Sequence, residues 1–74
     1  GARMTPQQQA RLGEIAVWVG TAQALLTQAR AAVLTNDMRQ VVPAAGRTAI
    51  VDASNSVNFA AAILLPLTQE VQSE

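Results

Sequence analysis

Two stretches of this chain place apolar residues at spacings that alternate between three and four without a miss, and that pattern points each of them to a helix. In the first, Leu12, Ile15, Val19, Ala22, Leu26, Ala29 and Val33 form the seam. Trp18, Leu25 and Ala32 lie beside it and widen it, while Glu14, Thr21, Gln28 and Thr35 fall on the opposite side. The start is marked by Thr5-Pro6-Gln7-Gln8: an N-cap Thr, a Pro at the first helical position and a Gln three residues after the cap. The spacing predicts a helix over residues 6–34, about 43 Å long at ~1.5 Å per residue.

The second seam is Ile50, Ala53, Val57, Ala60, Leu64, Leu67 and Val71, and predicts a helix over residues 45–71 with a frayed end at Gln72-Ser73-Glu74. Two places weaken it. Asp52-Ala53-Ser54-Asn55-Ser56 gathers poor helix formers, so a kink or break near Ser54–Ser56 competes with continuity, and the unbroken periodicity favours continuity. Pro66 removes a backbone donor and crowds the preceding turn, so a kink or restart is expected there.

Residues 35–44 connect the two. Thr35-Asn36-Asp37 ends the first helix, Asp37-Met38-Arg39-Gln40 has room for one capped turn, and Val41-Val42-Pro43 reads as extended because a proline pushes its predecessor out of the helical region. Gly13 and Gly20 sit inside the first helix. They lie either on its exposed face or, with Ala16 and Ala24, on a ridge of small residues against which another helix packs.

Composition then decides what such a helical pair can do. The 74 residues include no Cys, His, Tyr or Lys; five Arg balance five acids to a net charge of zero. General acid–base and nucleophilic catalysis draw on His, Cys, Lys, a tuned carboxylate pair or an activated hydroxyl; the first three are absent, and nothing in the sequence brings Asp37 and Asp52 together. Ordinary zinc and haem sites are excluded with Cys and His, no phosphate-binding glycine loop is present, and no cofactor is expected. The expectation is that the protein is not an enzyme.

Of the 37 hydrophobic residues 15 are Ala, leaving 22 larger apolar side chains. That supply is thin for a lone domain of this length, and small chains usually compensate with disulfides, metals or oligomerisation. With the first two closed, self-association is expected: an all-α, antiparallel helical hairpin that dimerises into a four-helix bundle. Leu12, Ile15, Val19, Leu26, Val33, Ile50, Val57, Leu64 and Leu67 are assigned to its shared core. Trp18, Leu25 and Phe59 are candidates for a surface offered to a partner, since a single hairpin leaves them wet.

Gly1-Ala2-Arg3 reads as a scar left by an expression tag, with Met4 as the start and residues 4–74 as one domain. Thr5 to Glu14 is too polar for a signal peptide, and the longest apolar run, Phe59–Leu67, is nine residues, interrupted by Pro66. A span needs about 18–20, so no membrane crossing and a cytoplasmic location are expected. The Ala-rich, Arg-only usage suggests a high-GC bacterial or phage genome.

The function expected on these grounds is a protein–protein interaction module: an adaptor, antagonist or inhibitor, or docking domain, binding itself and an unidentified protein partner. Arg30, Arg39 and Arg47 flank the connection with Asp37 as the sole acid between residues 30 and 47, which leaves nucleic-acid binding through that end as the alternative. The neutral overall charge argues against it. Peripheral membrane binding through residues 57–67 is a third possibility, disfavoured by the scarcity of flanking cations.

Overall fold

The computed structural model describes residues 3–73, with side chains through Gln69. It is all-helical: α1 (Pro6–Val33), a single turn α2 (Asn36–Arg39) and α3 (Ala44–Ser73), with no strand among the described residues. Gly1 and Ala2 of the expected tag scar, and the side chain of Val71 at the end of the second seam, lie outside the described part.

α1 starts as its sequence dictates. The Thr5 hydroxyl accepts from Gln8 N at 3.1 Å, and the Gln8 side chain accepts from Thr5 N at 2.9 Å, so two otherwise unsatisfied donors are met reciprocally. The far end closes on Thr35. Its Oγ1 donates to Ala32 O at 3.0 Å and accepts from Met38 N at 3.3 Å, so one hydroxyl ends α1 and caps α2. The cap of the short turn is therefore Thr35 rather than Asp37, which instead sits in its first turn, where a carboxylate suits the helix dipole.

Val41 is not extended. Its N–H and that of Val42 both donate to Met38 O, at 3.1 and 2.8 Å, which draws the chain into a turn before Pro43. Pro43 O accepts from Arg47 N at 3.1 Å and opens α3. A Cβ on Gly46 would lie 3.4 Å from Val42 Cγ1, about van der Waals contact, so Val42 packs beside the first turn of α3.

α3 is one helix from end to end. The Asp52–Ser56 cluster does not break it and Pro66 stands within it, so the helix is interrupted at neither place. The cluster is tolerated because most of its polar groups point to solvent, where they compete little with the helix ladder. Beyond Pro66, Thr68 Oγ1 donates to Leu65 O at 2.7 Å and supports the turn that follows.

α1 and α3 pack along each other in opposite directions, tied by Gln23 Nε2 to Asn58 Oδ1 at 3.0 Å and Arg30 Nη1 to Asn55 Oδ1 at 3.3 Å. The result is a rod of 51 × 18 × 17 Å. Its radius of gyration, 16.4 Å, exceeds the about 11 Å of a compact domain of equal length. A rod two helices wide has no enclosed centre. Among the described residues only Ser54 and Ala61 are buried, each 3% exposed.

Candidate interaction surface

The packing line on α3 is not the apolar seam read from its sequence. Ile50, Val57 and Leu64 belong to both, and all three are half-buried against α1. Between them, however, the deepest positions are Ser54 and Ala61, not Ala53 and Ala60, while Leu67 gives way to Thr68 and is 38% exposed. The helix is turned by about half a residue position, so small side chains, Ser54 and Ala61, meet α1. On α1 the packing line follows the seam: Leu12, Ile15, Val19, Leu26 and Val33 are half-buried, as are Ala22 and Ala29.

Both helices thus carry apolar arcs wider than the strip they share. Relative to that strip, Trp18 and Leu25 on α1 and Ala53, Ala60 and Leu67 on α3 are all turned backward by about a quarter turn, at ~100° per residue. Because the helices run in opposite directions, equal turns of one sense lead to the same side of the pair. The forward-turned residues show this directly, since Gln23 and Asn58 meet in a hydrogen bond. The pair therefore has two unlike flanks.

One flank is polar. It carries the Gln23–Asn58 and Arg30–Asn55 bonds and a shallow groove of about 380 Å³ lined by Gln23, Asn58, Ala61, Leu65, Pro66 and Gln69, among others. The other is apolar. Trp18 is 60% and Leu25 59% exposed, and the register set by Gln23 and Asn58 places Ala22 level with Ala60 and Ala29 level with Ala53. Toward the free ends of the helices this flank opens into a hollow of about 350 Å³ between Met4, Gln8, Arg11, Leu12, Ile15 and Leu67. No charged residue occurs from Ile15 to Ala29 or from Ala53 to Gln69. The same register lays these segments side by side, leaving a waist of roughly 21–24 Å without charges.

Phe59 does not join Trp18 and Leu25. It is 70% exposed on the outer side of α3, one turn from Ile63 and pointing away from α1. On the outer side of α1, Gly13 and Gly20 face open space, with nothing within 4 Å of where a Cβ would stand, and Val17 beside them is 65% exposed. The two glycines of the small-residue ridge therefore take no part in packing α1 on α3, and of its alanines only Ala16 is half-buried.

The three arginines at the connection are turned inward to the chain. Arg39 Nε donates to Leu34 O at 2.9 Å, and Arg47 Nη1 donates to Arg39 O and Val42 O, each at 3.0 Å. Leu34 O and Arg39 O are carbonyls that the ends of α1 and α2 leave without helical partners, and Val42 O lies in the turn before α3. Arg30 is bound to Asn55. A phosphate at this end would have to compete with those bonds. No cluster of carboxylates able to hold a metal occurs among the described residues.

α3 has one further property. Ala44–Gln69 has a mean hydropathy of 1.4 over its most apolar stretch, and 11% of that stretch is buried. By length and composition it can cross a membrane, because alanines count toward the average and only Arg47 and Asp52 are charged within it. The nine-residue run read from the sequence understates this.

No protein family, curated protein or solved structure matches the chain.

Proposed function

We propose that this protein is a small, non-enzymatic protein–protein interaction module: an antiparallel helical hairpin that self-associates into a four-helix bundle and acts by binding another protein. The observation that carries this reading is the surface left over by the fold. The accessible surface is 5476 Å², whereas a folded monomer of 7.8 kDa carries about 4,400 Å². The excess, about 1,100 Å², is of the order that one partner contributes to a standard interface, about 800 Å². Trp18 and Leu25 stand exposed beside the alanines of α3, on a flank whose middle is free of charge, as interface centres commonly are.

Sedimentation equilibrium at micromolar concentration tests the reading. A mass near twice 7.8 kDa is expected, and Trp18→Ala is expected to weaken self-association by about 2–4 kcal/mol, as truncation of a central aromatic anchor does. A monomer in the parent protein contradicts it.

The apolarity of α3 supports a second reading, in which the same flank meets a lipid surface. The scarcity of cations beside that flank counts against it. Flotation of the protein with liposomes separates the two.

A further inference from the structure

Large apolar side chains stand exposed around the hairpin rather than on one side of it. Val17 is on the outer side of α1, Trp18 and Leu25 on the apolar flank, and Phe59 and Ile63 on the outer side of α3. The register set by Gln23 and Asn58 puts Phe59 level with Ala22 and Ile63 level with Trp18. These side chains therefore form one belt, about 12 Å tall at ~1.5 Å per residue, inside the uncharged waist. A protein docked on one flank covers one side of the belt and leaves the others in water. Hydrocarbon covers all of them.

The contact between the helices has the opposite character. Its deepest residues, Ser54 and Ala61, are small, and amides tie α1 to α3; helices that pair in lipid favour small residues and cross-helix hydrogen bonds. Of the five amides in the waist, Gln23, Asn55 and Asn58 are bonded between the helices, and Gln28 and Gln69 stand at its edges. Thr21 Oγ1 donates to Val17 O at 3.0 Å and Thr68 Oγ1 to Leu65 O at 2.7 Å, so these hydroxyls also find partners within the chain. Internal partners for polar groups are the condition for placing a chain in hydrocarbon. An apolar helix of a soluble protein is ordinarily covered by its core, whereas 11% of the most apolar stretch of α3 is buried.

The geometry points to a hairpin that spans a lipid bilayer, with α1 and α3 side by side across the hydrocarbon and the connection at one face. Glu14 and Arg30 bound the waist on α1, and Asp52 and Glu70 bound it on α3. Its roughly 21–24 Å falls short of the ~30 Å of a typical hydrocarbon core, a mismatch that local thinning and outward-reaching arginine stems take up. The scarcity of cations weighs against a helix lying on a membrane surface, where attraction to anionic lipid adds to binding; a span depends on apolar length instead. The inference goes beyond the reading above and holds for one copy or for two.

Trp18 is the sole Trp and the chain has no Tyr, so its fluorescence reports its surroundings without a label. The protein is reconstituted into vesicles of phosphatidylcholine and phosphatidylglycerol, with phosphatidylcholine brominated on its acyl chains as the quencher. Polarised infrared spectroscopy of the same bilayers gives the helix orientation. Strong quenching, with helix axes near the bilayer normal, is expected. Unquenched Trp18, in a monomer or a dimer, overturns the inference and leaves the protein–protein reading to sedimentation. Helices lying in the membrane plane overturn it as well. Val17→Asp and Phe59→Asp place a charge on opposite outer sides of the hairpin, at exposed positions where the helices should persist by circular dichroism. Each is expected to lower partition into vesicles about a hundredfold, the scale for a charge in mid-membrane. Loss at one of the two sites alone, as a partner on one side would give, overturns the inference.

Discussion

The Thr35 hydroxyl touches both sides of the chain reversal, donating to Ala32 O and accepting from Met38 N. Thr35→Ala removes both bonds at once, and is expected to cost about 1–2 kcal/mol, the range for a lost cap. At fixed protein concentration the thermal midpoint followed by circular dichroism should fall by several degrees; an unchanged midpoint would show that the cap carries no weight. Gly20 offers the opposite case. It faces open space, so Gly20→Ala should recover about 1 kcal/mol of helix propensity and raise the midpoint. A fall instead would mean that a helix outside this chain packs on Gly20. The Thr5 capping box could be read from four residues because every participant is local. Thr35 could be recognised as a stop signal, but not as a cap for α2, since that depends on where the next turn begins.

At the scale of elements, periodicity located both long helices and carried α3 through Ser54-Asn55-Ser56. It did not locate the contact between them. The repeat of apolar residues marks the middle of a hydrophobic arc, and on α3 that arc is wider than α1 can cover. The structure seats α3 on α1 through Ser54 and Ala61 rather than Ala53 and Ala60, a difference that side-chain size does not explain. Ala61→Leu tests this placement. The added side chain has no room between the helices and should destabilise by about 1–3 kcal/mol, the usual cost of overpacking. If α3 met α1 through Ala60 instead, Ala61→Leu would be close to neutral in a urea titration. The arginines near the connection were legible as a positive cluster and not as carbonyl ligands. Their partners, Leu34 O, Arg39 O and Val42 O, become available only once the turn has formed.

For the whole molecule, the governing quantity is the ratio of surface to interior. A rod two helices wide buries only two small residues among those described and leaves Trp18, Leu25, Phe59 and Ile63 more than half exposed. Residue counts had already signalled that shortage, through 15 alanines among 37 hydrophobic residues. What the counts could not convey is that Trp18 and Leu25 share one flank of the helix pair, opposite the Gln23–Asn58 bond, while Phe59 stands on the outer side of α3, because that requires the register between α1 and α3. Stability that depends on a second copy also depends on concentration, since dilution favours the dissociated state. Thermal unfolding measured across a hundredfold dilution series tests this most directly. The midpoint is predicted to fall steadily as the protein is diluted, whereas one sharp, reversible transition at the same temperature throughout, from a species of 7.8 kDa, would contradict it.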